Sequence, residues 1–243
     1  MTGVAVVTGG AGTLGTAMCM ALGGRGCQVV VAYHHRAQEA ETLVKAIGPE
    51  SAIAVRADLS QPDAAEILIG AAEERFGVVG ILVNNAGIMT DSLVEDMTDG
   101  DWDTALTVNL TSSFRLIRRV IPGMRSAGGG RIINVSSQAA FRGSVGHAHY
   151  AAAKSGLLGL TYSLARELGR DSITVNAVVP GRFVSDMISA HVDGKAKEWL
   201  AATPLGRFGE PQELAGLIGF LASDEAAYIT GSAMQVGGGL VMG

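Results

Sequence analysis

Short, almost wholly apolar runs alternate with longer mixed stretches along the 243-residue chain. VAVV (Val4–Val7) and QVVVAY (Gln28–Tyr33) are apolar on successive positions, as are ILV (Ile81–Val83) and VNAVV (Val175–Val179) but for one Asn. Strands buried on both faces of a parallel sheet read this way, because neither face meets water. The pattern predicts strands at Val4–Gly9, Gln28–Tyr33, Ser51–Ala57, Gly80–Gly87, Arg131–Ser137, Ile173–Gly181 and Ser232–Val236. Between them it predicts helices from Leu14 to about Gly24, then Gln38–Ile47, Pro62–Phe76, Trp102–Met124, Tyr150–Leu168 and Pro211–Ala222. Repeated strand–helix units imply an α/β fold with a parallel sheet and helices on both faces, since right-handed crossovers place them there. No internal repeat, linker or boundary interrupts residues 1–243, which read as a single domain. Val184 to about Pro204 stands apart as a polar, flexible stretch after the sixth strand, where a substrate lid is expected.

Composition narrows the class. Hydrophobic residues make up 48% of the chain and charged residues 17%, with a mean hydropathy of +0.31. No run approaches the ~20 apolar residues of a spanning helix, so no membrane association is expected. No basic segment precedes the first apolar run, which argues against a signal peptide. Cys19 and Cys27 are the only cysteines and read as reduced thiols of a cytoplasmic protein. A net charge of −5 without a basic run argues against nucleic acid as a partner, and Arg118 and Arg119 read as a solvated helix face.

Candidate chemistry begins with TGGAGTLG (Thr8–Gly15), which joins the first strand to the first helix. Backbone N–H groups and the positive end of the helix dipole favour a phosphate there, and glycine lets the backbone approach it. Gly10, Gly12 and Gly15 fit G-x-G-x-x-G, a weak signal by itself. The acidic residue expected about 20 positions on, at the ribose, is missing. The second strand ends Tyr33-His34-His35-Arg36 instead. That is either an ordinary polar loop or a site for a 2′-phosphate; together with the glycine turn it favours NADP(H), with NAD(H) as the alternative.

HAHYAAAKSG (His147–Gly156) supplies the second signal, Tyr150 and Lys154. On a helix this pair shares one face about 6 Å apart along the axis. An ammonium about 4 Å from the phenol is worth roughly 4 kcal/mol at a surface-like dielectric, which predicts a tyrosine pKa lowered toward neutrality. Ser137 ends the preceding strand, where its hydroxyl can hold a carbonyl against the phenol; alternation points Ser136 to the opposite face. Asn109, in TVNLTSS, is a poor mid-helix residue that either satisfies local backbone or serves a proton relay.

Taken together these residues resemble the short-chain dehydrogenase/reductase family over nearly the whole chain. VTGGAGTLG is similar to its T-G-x-x-x-G-x-G turn, and NNAG (Asn84–Gly87) to its strand-four signature. The resemblance implies a doubly wound Rossmann fold with strand order 3-2-1-4-5-6-7 and a catalytic tetrad of Asn109, Ser137, Tyr150 and Lys154. It implies cofactor contacts at Thr8, Gly9, Gly10, Gly12, Thr13, Leu14 and Gly15, at Tyr33 to Arg36, and at Asp58 and Leu59, which bracket the adenine. Further contacts are implied at Asn85, Ala86, Gly87, Tyr150 and Lys154. PGRFVSDM (Pro180–Met187) resembles the segment that receives the nicotinamide carboxamide, which implies Pro180, Gly181, Phe183 and Ser185.

Within the family, LASDEAAYITG (Leu221–Gly231) and the final GGGLVMG resemble the 3-oxoacyl-carrier-protein and acetoacetyl-CoA reductases. The resemblance therefore implies NADPH-dependent reduction of a 3-oxoacyl thioester by a cytoplasmic homotetramer of fatty acid biosynthesis, with acyl carrier protein as a partner. The alternative is a dehydrogenase of a small secondary alcohol, sugar or cyclic ketone, and the remote one a non-catalytic dinucleotide-binding protein. Three departures stand out. Thr13 replaces a turn glycine, and His147 and His149 replace Gln and Asn before the tyrosine. Two basic carrier-docking positions are Gly128 and Asp171, with Arg125 and Arg170 nearby. The two histidines read as lining the substrate entrance or capping the helix rather than binding metal, for want of a third ligand.

Overall fold

A computed structural model describes residues 3–185, 194 and 196–242. Its strands are β1 (Val4–Val7), β2 (Gln28–Tyr33), β3 (Ala52–Arg56), β4 (Val79–Asn84), β5 (Gly130–Val135), β6 (Ile173–Pro180) and β7 (Ala233–Val236). They form one parallel sheet in the order β3-β2-β1-β4-β5-β6-β7, as expected. Successive side chains leave opposite faces, and both faces are dry. Ala5, Val7, Val29, Val31, Ile81 and Val83 enter one core; Val4, Val6, Val30, Ala32, Val79 and Leu82 enter the other.

Helices cover both faces. α1 (Thr13–Gly23) packs beside α9 (Pro211–Leu221) over the first core, with α2 (Ala37–Ile47) at its edge. α3 (Ala64–Phe76) and α5 (Ser112–Ser126) pair over the second. Arg119 ties α5 to α3 through Glu66 and Glu73, each at 2.7 Å. α7 (Ala148–Leu168) packs along β6. Strand order reverses between β1 and β4, and the carboxyl ends of the strands around that point open into a cleft, the usual ligand position in such sheets.

The expected helix Trp102–Met124 is two helices joined by a wider turn. α4 (Asp99–Leu106), capped by reciprocal bonds between Thr98 and Asp101, runs into a π-helical turn at Thr107–Thr111 and then into α5. Two short helices have no counterpart in the sequence pattern, α6 (Ala139–Arg142) and α8 (Ala196–Ala201). Within the lid expected at 184–204, residues 186–193 and 195 lie outside the described residues, and the described part holds α8. Among the described residues no helix is long and apolar enough to cross a membrane.

Candidate active site

The cleft encloses about 800 Å³ above the carboxyl ends of β1 to β6. At its floor is the glycine turn. Gly9 takes a left-handed φ of 63°, and a Cβ on Gly15 would run into the Gly9 carbonyl, so turn and helix meet at a distance only glycine allows. Gly12 is the N-cap of α1 and no side chain caps the helix; Gly12, Thr13, Leu14 and Gly15 all line the cleft. An uncapped helix start turned toward a cleft is a site for an anion.

Two residues expected in contact with a cofactor stand back from the cleft wall. Gly10 faces the core, where a Cβ would lie 3.0 Å from Val31 Cγ1 and 3.2 Å from Cys19 Sγ. Its smallness serves packing. Thr8 is buried behind the wall, its Oγ1 accepting from the backbone N–H of Asn85 at 2.9 Å and Ala86 at 3.0 Å. The Asn85 amide donates back to the Thr8 carbonyl at 2.9 Å. Thr8 thus fixes the strand-four segment, and Asn85, Ala86 and Gly87 line the cleft in its place.

At the other end of the floor, Tyr33, His34, His35, Arg36, Asp58 and Leu59 all line the cleft. The His34 and His35 rings stack with centroids 3.7 Å apart, and His34 Nε2 lies 3.9 Å from Asp58 Oδ2. Arg56, a residue the sequence pattern did not single out, donates from Nε to the His34 carbonyl at 3.2 Å and steadies this loop. Hydrogen bonds from the Ser60 hydroxyl and backbone N–H hold the Asp58 carboxyl below its ordinary range.

Ser137, Tyr150 and Lys154 meet on one wall. Ser137 follows β5 and Tyr150 stands in the first turn of α7. The Ser137 hydroxyl is near enough to the phenol to act on its pKa, and Ser137 Oγ accepts from Ala139 N at 3.2 Å. The Ser136 hydroxyl is instead spent on the Lys154 carbonyl, to which it donates at 2.8 Å. Lys154 is buried; its Nζ donates to the Val135 carbonyl at 2.9 Å and lies 5.7 Å from the centre of the Tyr150 ring. The lowered tyrosine pKa expected from the spacing is not found. Burial pushes the phenol above its ordinary value, and the nearby Ser137 hydroxyl opposes this only in part. Burial also brings the Lys154 ammonium down to about 8. The helical spacing was right, but it carried no information on desolvation, which dominates here.

Asn109 is fully buried in the π-helical turn and does not line the cleft. Its Oδ1 accepts from Ile88 N at 2.9 Å and its Nδ2 donates to the Ile88 carbonyl at 3.0 Å. The extra residue of a π turn swings this amide inward, a common feature of functional sites. Across the cleft, Pro180 ends β6, and Gly181, Phe183 and Ser185 follow it and line the cleft with it. Trp199 on α8, which no sequence motif singles out, also lines the cleft, with the Arg182 guanidinium 4.8 Å over its ring. His147 and His149 each have polar partners. His147 Nδ1 lies 2.9 Å from Ser144 Oγ and its Nε2 2.9 Å from Asp91 Oδ1, and His149 Nε2 lies 2.9 Å from Thr90 Oγ1.

Comparison with known proteins agrees with this architecture. Residues 9–241 match the family model described as enoyl-(acyl carrier protein) reductase. The 3-oxoacyl-(acyl-carrier-protein) reductase FabG of Staphylococcus aureus is 40% identical over 245 residues, covering 100% of this chain and 99% of the relative. That of Vibrio cholerae is 41% identical over 241 residues, 98% of this chain and 97% of the relative. A crystal structure of a short-chain dehydrogenase/reductase from Brucella melitensis, described as a glucose/ribitol dehydrogenase, superimposes with a TM-score of 0.92. It is 34% identical and is matched over 99% of this chain and 97% of its own. The chain belongs to the short-chain dehydrogenase/reductase family, a family of nicotinamide-dependent oxidoreductases.

Proposed function

We propose that the protein reduces a ketone to a secondary alcohol with NADPH, and that its substrate is a 3-oxoacyl thioester. One observation carries the reading: a buried phenol, Tyr150, held protonated by its surroundings, beside Ser137 and backed by the buried Lys154. At neutral pH the phenol carries its proton, the form that reduction requires. The relatives of Staphylococcus aureus and Vibrio cholerae carry names that specify 3-oxoacyl thioesters of a carrier protein.

The residues present fit a nicotinamide dinucleotide. The uncapped start of α1 suits its pyrophosphate, and His34, His35 and Arg36 in place of an acid suit a 2′-phosphate. When bound, the nicotinamide supplies the hydride for the carbonyl carbon. Ser137 orients the carbonyl oxygen by hydrogen bonding, and Tyr150 gives that oxygen its proton. Lys154 keeps one N–H on Val135, and its others would hold the ribose of a bound cofactor; with a pKa near 8 it exchanges protons readily at neutral pH. Asn109 acts at one remove by clamping both backbone groups of Ile88. Arg125 is paired with Asp171 at 2.7 Å, which weakens it as a replacement carrier-docking cation and favours recognition of the acyl arm over the carrier.

The test is the loss of nicotinamide absorbance with acetoacetyl-CoA, run in parallel with NADPH and NADH. Turnover with NADPH is expected, absent in Tyr150→Phe, which still binds NADPH. Turnover of a sugar or cyclic ketone but not of the thioester would transfer the function to small alcohols, the reading favoured by the description of the Brucella melitensis structure.

A further inference from the structure

Among the described residues, the lysine and arginine side chains that line the cleft are those of Arg36, Lys154 and Arg182. The first two have roles in the reading above, at the 2′-phosphate and the ribose; Arg182 has none. It follows β6, four strands along the sheet from the end of β2 that carries Arg36, about 19 Å away at the usual strand spacing. Its neighbour is the catalytic wall instead. Gln138, next to Ser137, donates its backbone N–H to the Pro180 carbonyl at 3.0 Å, two residues before Arg182. Arg182 therefore belongs to the half of the cleft that holds the ketone, away from the phosphates of a dinucleotide.

Its side chain is held at both ends. The backbone is clamped to the loop before α9, with Gly209 N donating to the Arg182 carbonyl at 2.9 Å and Val184 N to the Gly209 carbonyl at 2.9 Å. The guanidinium lies 4.8 Å over the Trp199 ring, and its Nη1 donates to the Trp199 carbonyl at 3.1 Å. That occupies one face of the plane and one of its five N–H groups. Among the described residues no carboxylate lies within ion-pair distance of Arg182. The charge beside it has the same sign: Arg142, which ends α6 and donates from Nη1 to the Leu240 carbonyl at 3.3 Å. Burial first, and then Arg142, hold Arg182 below the usual arginine pKa; Glu198, which also lines the cleft, has the smallest influence and opposes them. An arginine keeps its proton regardless, so the cost of this desolvated, repelled cation stands until an anion offsets it.

A guanidinium fork matches the paired oxygens of a carboxylate or a phosphate. The phosphate of a pantetheine arm is more than a dozen bonds from the ketone, whereas Arg182 is anchored two residues from the partner of Gln138. A carboxylate a few bonds from the ketone suits that separation. Resting on the ketone-reductase reading above, we infer that Arg182, assisted by Arg142, binds a carboxylate carried by the ketone substrate. Two sources share this chemistry, a free 3-oxo acid and a 3-oxoacyl thioester whose acyl chain ends in a carboxylate.

The test measures binding by ligand-observed NMR titration to wild-type protein with NADP⁺, which has no hydride to give. S-(3-oxoadipyl)-N-acetylcysteamine is paired with its 3-oxohexanoyl analogue, which has a methyl group in place of the carboxylate. Acetoacetate is paired with methyl acetoacetate. In at least one pair the carboxylate is expected to bind about 10- to 100-fold more tightly, the scale of hydrogen bonds to a charged group. A preference in the first pair alone assigns the carboxylate to the acyl chain of a thioester, and in the second alone to a free acid. Arg182→Gln should bring the ratio close to one, Arg142→Gln should reduce it, and Arg182→Lys should keep part of it. Each protein is read as a ratio of two ligands, so a general loss of binding cancels, and Arg142→Gln serves if Arg182→Gln does not fold.

No preference in either pair, or one that survives Arg182→Gln, overturns the assignment. So does a preference for acetoacetyl-CoA over S-acetoacetyl-N-acetylcysteamine that Arg182→Gln removes while carboxylates gain nothing, because the anion would then be a phosphate. Failure of the reductase reading looks different: the carboxylate preference persists in binding while none of these ketones consumes NADPH.

Discussion

Gly87 and Asn109 are in such close contact that a Cβ on Gly87 would stand 2.7 Å from Asn109 Oδ1 and 3.3 Å from Lys154 Nζ. The oxygen it would strike is the one that accepts from Ile88 N, so the glycine, the clamp and the lysine are one packed unit. Gly87→Ala must therefore displace either the amide or the ammonium. Overpacking of this kind destabilises by about 1–3 kcal/mol. The expected outcome is a lower urea midpoint with a fall in kcat of more than tenfold. Unchanged kcat would mean that the Asn109–Lys154 arrangement is not needed for turnover.

Lys154 makes the stability of the cofactor-free protein depend on pH. In the folded protein burial brings it to about 8, while in the unfolded chain it keeps its proton to about 10.4. Between these values the unfolded chain binds more protons, so this residue's contribution rises with pH: least stabilising below 8, most above 10. Cys19 and Tyr150, both raised by burial, act in the opposite sense from about 8.5 and about 10 upward. The wild-type profile is therefore a composite, and the difference from Lys154→Met isolates the lysine. Denaturant unfolding at pH 7 and pH 9.5 should show the wild type gaining on the variant by about 2 kcal/mol as pH rises. A gap that does not change with pH would remove the buried cation from the account.

These two residues also mark what was legible in the sequence. Strands such as Val4–Val7 announce themselves because both sheet faces select apolar side chains, and the Tyr150–Lys154 spacing survives any detail of packing. The sign of the tyrosine shift did not, because desolvation depends on what surrounds the wall. Nor did the choice among glycines. Gly10 and Gly12 fit the turn pattern equally, and only the positions of Val31 and Cys19 turn Gly10 into the core. The π turn at Asn109 is invisible to a 3.6-residue period, since one extra residue is absorbed within an otherwise continuous helix. The Asp91–His147 pair joins segments far apart in the chain, and its members look like ordinary loop and cap residues until the fold brings them together.

Arg36 should set the choice between cofactors. It lines the cleft with His34 and His35 just beyond β2, where the sequence has no acid to repel a 2′-phosphate. Hydrogen bonds to a charged group contribute about 1.5–3 kcal/mol, so Arg36→Ala should raise the KM for NADPH by roughly 10- to 100-fold. KM for NADH should stay within about twofold, since that cofactor has no phosphate to lose. Steady-state kinetics with both cofactors decides it, and equal losses for the two would assign Arg36 to the loop rather than to the phosphate.

Beneath the cleft, a fully buried polar chain links β4, β5 and α7. Asn84 Nδ2 donates to Asn134 Oδ1 at 2.8 Å, Asn134 Nδ2 donates to Thr161 Oγ1 at 2.9 Å, and Thr161 Oγ1 donates to the Leu157 carbonyl at 2.7 Å. Asn134 is the central member, and removing its amide leaves a donor on one neighbour and an acceptor on the other without partners. Each such orphan costs about 1–3 kcal/mol, so Asn134→Leu should lower stability by roughly 2–5 kcal/mol. The double variant Asn84→Leu, Asn134→Leu removes one of the stranded groups and should recover part of that loss despite replacing a second native residue. A double-mutant cycle on urea unfolding provides the check. Additive losses would show that the two asparagines act independently, and that the strand that precedes Ser137 is not held to the strand that precedes Gly87 by this chain.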